Sequence, residues 1–213
     1  MRITKAMKQQ MLTILEDHYG GTKTALHYTT PFELLIAVIL SAQCTDERVN
    51  IITARMFSRY NTAAALLELG QEALEAEIRD CGLFRSKARN IIATCHILCH
   101  QYGGDVPSDF DALTALPGVG RKTANVVLSQ LFHIPAIAVD THVFRVSNRL
   151  GLARGNTPLM VEEGLMKAIP REKWSDAHHW LIWHGRKVCK ARKPECAACP
   201  LGALCFEGAK IIK

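Results

Sequence analysis

The sequence lacks the features that would place a protein in a membrane or send it out of the cell. No apolar run is long enough to cross a bilayer, and no apolar block follows the N-terminal charges as it does in a signal peptide. Aromatic residues make up only 7% of the chain, and no stretch alternates between apolar and polar residues as a half-buried strand does. We therefore expect a cytoplasmic protein without a β-sheet.

Composition and charge indicate a globular protein with a moderate excess of basic residues. Hydrophobic residues make up 48% of the 213 residues, which is enough to build a core. The formal net charge is +6, and the isoelectric point is about 8.9. This excess suits a polyanionic partner such as a nucleic acid without requiring one.

Apolar residues recur at helical spacing along most of the chain. Thr30 to Glu33 is a capping box with a proline at the first helical position, and it predicts a helix from Pro31. No repeat or low-complexity linker divides the chain. We predict an all-α fold of two helical lobes, one over residues 24–133 and one made of residues 1–23 and 134–213.

A glycine-containing turn lies between two segments of helical periodicity, residues 108–116 and 123–132. Its sequence is Pro117, Gly118, Val119 and Gly120, followed by Arg121. Glycine permits the positive φ of a tight turn, and the free N–H groups at the following helix N-terminus attract anions such as phosphate. The pattern predicts a helix-hairpin-helix that binds a nucleic-acid backbone, with Gly118, Val119, Gly120 and Arg121 contacting it.

Lys122 follows this turn in the first turn of the second helix. The positive end of the helix dipole disfavours a second positive charge there, so it favours the neutral amine. A neutral amine can attack carbon and form a Schiff base. The alternative is an ordinary solvated lysine on a helix surface.

A phosphate-binding nucleotide loop is excluded by the same residues. That loop requires glycine immediately before its lysine and follows a strand. Here Arg121 precedes Lys122, and the segment before the turn has helical periodicity.

The eight cysteines fall into two groups, and disulfides are not expected in a cytoplasmic protein. Four are scattered through segments of helical periodicity, where we expect small buried thiols: Cys44, Cys81, Cys95 and Cys99. The other four are grouped near the C-terminus: Cys189, Cys196, Cys199 and Cys205. Zinc sites usually consist of two close cysteine pairs, whereas only one gap is short here. The spacing therefore favours a [4Fe–4S] cluster, with zinc as the alternative.

Taken together, these motifs resemble those of the endonuclease III family, in the superfamily of helix-hairpin-helix DNA glycosylases. The resemblance rests on residues 116–124, on Val139 to His142 and on the four C-terminal cysteines. It extends to residues 31–35 and 41–46, so it covers nearly the whole chain. It implies a base excision repair enzyme with glycosylase and AP-lyase activity, a [4Fe–4S] cluster and a nucleoid-associated location.

The resemblance also implies two catalytic residues. Lys122 matches the nucleophile that attacks C1′ of the damaged nucleotide, and Asp140 matches the carboxylate that activates the amine and stabilises developing charge on the sugar. From the sequence alone, Asp140 is also a plain N-cap for a helix beginning at Thr141. We expect it to serve both purposes.

Further residues are expected to contact DNA. In the family pattern Gln43 matches a residue that fills the gap left by a flipped-out base, and Leu83 matches a wedge in the opposite strand. His142 belongs to the motif of Asp140, and we expect it to contact DNA as well. Basic residues of the cysteine-rich loop are expected to contact phosphates, although Glu195 weakens their field: Lys190, Arg192 and Lys193.

Other functional classes fit part of this pattern. Adenine and thymine mismatch glycosylases share the hairpin, but the resemblance implies that they lack the lysine nucleophile. A non-catalytic iron–sulfur module that binds DNA would need neither Lys122 nor Asp140. We predict a monomeric DNA glycosylase and AP lyase that acts on double-stranded DNA with an oxidised pyrimidine or an abasic site.

Overall fold

The computed structural model describes residues 2–208. Eleven α-helices run through this part of the chain, and none of these residues forms a β-strand. The helices are α1 (Lys5–Tyr19), α2 (Pro31–Leu40), α3 (Asp46–Phe57), α4 (Ala63–Leu69), α5 (Gln71–Glu77), α6 (Phe84–Gln101), α7 (Phe110–Thr114), α8 (Arg121–Leu131), α9 (Thr141–Leu150), α10 (Pro158–Ala168) and α11 (Trp174–Lys187). Short 3₁₀ turns lie at Arg171–Lys173 and Cys196–Ala198. The predicted all-α fold class is confirmed.

The chain divides into two compact units, and the boundary residues are Lys23 and His133. The first unit contains α1 and α9 to α11, and the second contains α2 to α8. Within the described residues, no helix is both long and apolar enough to cross a membrane.

Helix α2 forms the centre of the unit of residues 24–133. Its residues Phe32 to Leu40 are all buried, and α3, α6 and α8 pack against it. The predicted capping box is confirmed: Thr30 accepts from the Glu33 amide, and the Glu33 carboxylate accepts from the Thr30 amide. This cap fixes where α2 begins. Because α2 is buried on all its faces, it forms the core against which the other helices pack.

The other unit is built around α11, which packs against α1 and α9, while α10 packs against α9. Its core includes Leu15, Val146, Leu165, Trp180 and Leu181, each no more than 2% exposed. Three partly buried cysteines of the C-terminal group, Cys189, Cys199 and Cys205, pack against this same core. The cysteine-rich loop is therefore part of a helical unit that has its own core.

Three local expectations need correction. Helix α7 begins at Phe110 rather than at Ser108, because Asp109 caps it by accepting from the Ala112 amide at 2.8 Å. Cys44 and Cys81 lie in the turns after α2 and after α5, not inside helices. Cys44 and Cys99 are also only partly buried, whereas Cys81 is 2% exposed.

Candidate active site and cysteine cluster

The hairpin between α7 and α8 is held firmly by α6. Gly118 has a φ of 82°, and a Cβ at that position would lie 3.1 Å from the Cβ of Asn90. Both its conformation and its surroundings therefore require glycine. The neighbouring Pro117 carbonyl accepts a 2.9 Å hydrogen bond from the Thr94 hydroxyl, and the Val119 amide donates to the Leu116 carbonyl at 3.0 Å.

The hairpin ends at the N-terminus of α8, which is open. Gly120 is the N-cap, so no side chain caps the first amides, and no atom lies within 4 Å of where its Cβ would be. Arg121 is exposed, and its guanidinium lies 5.0 Å from the centre of the Phe110 ring. The backbone amides of a helix N-terminus, the helix dipole and a positioned cation together suit an anion such as phosphate.

Lys122 lies one residue further along, in the first turn of α8, and is partly buried. The next residues of the helix, Ala124 to Ser129, are buried. The side chain therefore starts from a rigid, packed helix rather than from a loop, as a group that must be positioned for reaction requires.

Asp140 is the N-cap of α9 in the other unit. Its Oδ1 accepts a 2.8 Å hydrogen bond from the Val143 amide, and its carbonyl accepts one from Phe144 at 2.8 Å. The capping role expected from the sequence is therefore present. The second carboxylate oxygen, Oδ2, is left for other partners, and the side chain is partly exposed.

His142 lies in the same first turn, beside Arg145. Burial lowers the pKa of His142, Asp140 opposes that shift, and Arg145 and Arg186 add to it. Arg145 Nη2 lies 3.2 Å from His142 Nδ1, and because arginine can only donate, Nδ1 accepts this hydrogen bond. His142 is therefore a neutral imidazole beside cations near neutral pH.

Gln43 and Leu83 lie in adjacent turns of the unit of residues 24–133. Both have a positive φ, 54° and 59°, which non-glycine residues rarely adopt. Both are exposed, and Leu83 is 59% exposed although it is apolar. The turns touch at Gly82, where a Cβ would lie 3.1 Å from the Gln43 carbonyl oxygen. Strained, exposed residues of this kind are typical of functional positions.

The four C-terminal cysteines line one cavity of about 250 Å³. Burial raises the pKa of Cys199 and of Cys205, and nearby cysteines raise both further. Four crowded thiolates therefore need cationic metal to be stable. Among residues 2–208, no three histidine, cysteine or acidic side chains are placed to hold a single metal ion. Four cysteine sulfurs that line one cavity are a donor set that fits an iron–sulfur cluster.

Two helix C-termini hold the cysteine-rich loop in place. At the end of α11, the His184 carbonyl accepts from the Cys189 amide at 2.8 Å. At the end of α9, the Arg149 carbonyl accepts from the Cys205 thiol at 3.2 Å and from the Glu207 amide at 3.0 Å. Both carbonyls lie in the last turn of their helix, and these bonds fix the cysteines relative to the core.

Two buried side chains next to the cysteines were not identified from the sequence. The Tyr19 hydroxyl lies 3.1 Å from His184 Nδ1, and His184 Nε2 lies 3.7 Å from Cys199 Sγ. Burial raises the pKa of Tyr19, so its hydroxyl stays protonated and donates to Nδ1. His184 then carries its proton on Nε2 and presents it to the sulfur, as ligand-orienting residues do. These residues are far apart in sequence, and no local signal joins them.

The cationic residues of the loop differ in their surroundings. Lys190 forms a 2.6 Å ion pair with Glu195, which accounts for the expected weakening of the positive field. Arg192 and Lys193 are exposed, and Lys193 has a φ of 51°. All three belong to the unit that carries Asp140 and His142, whereas Lys122 and the hairpin belong to the other.

Comparison with known proteins gives two family matches. Residues 36–171 match the HhH-GPD superfamily of base excision DNA repair proteins, and residues 189–205 match the iron–sulfur binding domain of endonuclease III. The second match covers all four C-terminal cysteines. The cofactor is a [4Fe–4S] cluster, which confirms the prediction from cysteine spacing.

Individual relatives extend the match along the chain. The endonuclease III of Rickettsia conorii is 57% identical over 196 residues, covering 92% of this chain and 93% of its own. That of Escherichia coli K12 is 53% identical over 203 residues, covering 95% and 96%. The solved structure of a trapped covalent endonuclease III–DNA intermediate is 50% identical, has a TM-score of 0.95 and covers both chains completely. Agreement at this level in sequence, fold and cofactor domain means that the chain belongs to the endonuclease III family of base excision DNA repair enzymes.

Proposed function

We propose that Lys122 is the nucleophile of this DNA glycosylase and AP lyase, and that its substrate is double-stranded DNA with an oxidised pyrimidine or an abasic site. The enzyme class follows from the family. The residue assignment rests on one observation above the others. Lys122 is the partly buried lysine in the first turn of α8, directly after the open N-terminus at Gly120.

The position of Lys122 supports a nucleophilic role in two ways. The helix dipole and partial burial both favour its neutral amine, which is the reactive form. The backbone amides of this helix N-terminus can bind a phosphate of the damaged strand, which would place the adjacent sugar near the lysine.

The proposed reaction proceeds through a Schiff base between Lys122 and the sugar. The amine of Lys122 forms a bond to C1′ as the bond from C1′ to the base breaks, and the base leaves with a proton. Loss of the amine proton and opening of the sugar ring give a Schiff base. The imine acidifies the C2′ proton, whose removal expels the 3′ phosphate and cuts the strand. Water then hydrolyses the imine and frees Lys122.

Asp140 is the proposed carboxylate partner in this reaction. One of its oxygens is used as the cap of α9, so the side chain is held in one orientation. Arg145, in the first turns of α9, interacts electrostatically with this carboxylate. An ionised carboxylate can take a proton from the amine and stabilise positive charge on the sugar.

Gln43 and Leu83 are the proposed residues that fill and wedge the duplex. A base must leave the stack before its C1′ can be attacked, and the gap must be filled. Both residues project from turns with a positive φ, and Leu83 exposes an apolar side chain to solvent. The hairpin, His142 and the cationic loop at Lys190, Arg192 and Lys193 are the proposed backbone contacts.

Cys189, Cys196, Cys199 and Cys205 are the proposed ligands of the iron–sulfur cluster. When bound, the cluster supplies positive charge that keeps the four thiolates ionised and joins the loop to its helices. Its proposed role is structural, because the loop presents basic residues to DNA and no step above needs electron transfer. We further propose that the protein acts as a monomer in the cytoplasm, associated with the nucleoid.

Borohydride trapping tests this assignment. The purified holoenzyme is incubated with a duplex that contains one thymine glycol, and separately with an abasic-site duplex. The wild-type protein should give a covalent adduct and a cut strand on both. Lys122→Ala should give neither and still bind the DNA, while Lys167→Ala, at an exposed lysine of α10, should behave as wild type.

The outcomes separate the parts of the proposal. Trapping by Lys122→Ala would overturn the nucleophile assignment. If the enzyme cuts the abasic-site duplex but does not remove thymine glycol, thymine glycol is not a substrate, and only the lyase part of the proposal stands.

A further inference from the structure

The turns that carry Gln43 and Leu83 also carry two cysteines that lie close to each other. Cys44 lies in the turn after α2, and Cys81 lies in the turn after α5. The Cys44 thiol lies near enough to raise the pKa of Cys81. The backbones meet at the adjacent residues, because the Gln43 carbonyl lies 3.1 Å from the Cβ position of Gly82. Cysteines on touching turns of one unit are candidates for a disulfide that joins the turns.

A buried lysine completes the group. Lys87 is 5% exposed, and its Nζ donates to the Leu40 carbonyl at 2.8 Å and to the Cys81 sulfur at 3.0 Å. The Cys81 thiol itself donates to the same Leu40 carbonyl at 3.2 Å. Leu40 is the last residue of α2, so the ammonium group lies at the negative end of that helix. A cation held 3.0 Å from a sulfur stabilises the thiolate that a thiol exchange reaction requires.

The two thiols differ in access. Cys44 is partly exposed, whereas Cys81 is 2% exposed. Burial raises the pKa of Cys81, Lys87 lowers it in part, and the contact with Cys44 raises it again. A small oxidant in solution therefore reaches Cys44 first, and Cys81 is placed to react with the product.

We propose that Cys44 and Cys81 form a peroxide-sensitive dithiol that closes to a disulfide and joins the two turns. In the first step, hydrogen peroxide transfers one oxygen to the Cys44 sulfur, giving a sulfenic acid and one water. In the second, the Cys81 sulfur attacks the Cys44 sulfur, the S–O bond breaks, and the hydroxide leaves with the Cys81 proton as water. Two thiols lose two electrons in total, and one peroxide is reduced to two waters. The disulfide fixes the spacing between Gln43 and Leu83, and a dithiol reductant restores the open pair.

This inference stands independently of the roles proposed for Gln43 and Leu83 in DNA binding. It requires only that the two turns bring Cys44 and Cys81 close together. The pair also lies in the unit of residues 24–133, outside the four cysteines that line the cluster cavity.

Peptide mapping of the holoenzyme tests the proposal directly. The protein is treated with hydrogen peroxide, alkylated and digested with trypsin without reduction. Cys44 and Cys81 fall in different tryptic peptides, residues 24–48 and 80–85, and each peptide has one cysteine. Peroxide should give these two peptides joined, with a mass two hydrogens below their sum. Dithiothreitol should separate them.

Two variants sharpen the test. Cys44→Ser changes a partly exposed turn residue and should abolish the joined peptide, leaving Cys81 alkylated after denaturation. Cys99→Ala, at the other partly exposed cysteine of this unit, should leave it unchanged. Oxidation of Cys44 to a sulfinic acid with Cys81 still free would overturn the proposal. So would a product in which one oxygen bridges Cys81 and Lys87.

Discussion

Arg149 Nη1 donates a 2.8 Å hydrogen bond to the carbonyl of Lys190, and its Nη2 donates one of 3.1 Å to the carbonyl of Ala191. The same side chain pairs with Glu207 at 3.5 Å. One arginine near the end of α9 therefore holds both sides of the cysteine-rich loop. A planar guanidinium can span two successive carbonyls, which a lysine cannot.

Arg149→Lys is therefore expected to weaken the attachment of the loop. Loss of two charge-assisted hydrogen bonds at a partly exposed site should lower the free energy of unfolding by about 1–3 kcal/mol. The cluster should also be released earlier on heating, which the loss of its visible absorbance measures. Arg192→Lys, at an exposed arginine in the same loop, is the matched control. Equal release temperatures for the two variants would contradict the role assigned to Arg149.

Asp140 allows capping to be separated from catalysis. Asparagine caps helices about as well as aspartate, so Asp140→Asn should keep the hydrogen bond to the Val143 amide and most of the stability. Asp140→Ala should lower the free energy of unfolding by about 1 kcal/mol, because the cap is lost. Both variants should lose most of the rate of Schiff-base formation, measured by single-turnover borohydride trapping. Full activity in Asp140→Asn would show that the carboxylate serves only as a cap.

The hairpin glycines offer a second matched pair. Gly118→Ala places a side chain at a φ of 82° and 3.1 Å from the Cβ of Asn90, so it should lower the free energy of unfolding by about 1–2 kcal/mol. Gly120 has φ −91° and ψ 176°, a conformation open to any residue, and there is open space around its Cβ position. Gly120→Ala should therefore fold normally. Its new methyl group would face an incoming phosphate, so its affinity for DNA should fall. Denaturant unfolding and fluorescence anisotropy measure the two effects. Wild-type affinity in Gly120→Ala would contradict phosphate binding at this helix N-terminus.

The features that could be predicted from the sequence are those encoded locally. The capping box at Thr30 and Glu33, the hairpin at Gly118 and the position of Lys122 in the first turn of a helix all depend on neighbouring residues. The all-α class follows from helical spacing along the chain, and the cysteine gaps indicated the cofactor before any geometry was known.

Features that join distant segments could not be predicted in this way. Tyr19 and His184 meet across the first unit, and Lys87 reaches Leu40 through the core of the second. Each residue alone is ordinary, and only folding brings it to its partner. Apolar spacing continues through the turns of Cys44 and Cys81 and predicts helix there, and the proximity of the two cysteines depends on how the turns pack together.

Buried histidine in α11 makes the stability of the protein depend on pH. His179 is 6% exposed, and burial lowers its pKa from 6.5, with Asp176 opposing the shift in part. Below pH 6.5 the unfolded chain gains a proton at this residue that the folded protein does not, so the free energy of unfolding falls as the pH drops. This contribution is fully present above pH 6.5 and is lost on acidification.

His179→Gln should reduce that loss, because glutamine is polar but does not titrate. Urea unfolding between about pH 7.5 and 5.5 measures the slope of stability against pH for each protein. His96→Gln is the control, since His96 is exposed on α6 and should leave the slope unchanged. The other buried histidines keep part of the slope in His179→Gln, so the expected result is a shallower decline rather than none. Parallel slopes for wild type and His179→Gln would show that His179 does not contribute to the pH dependence of stability.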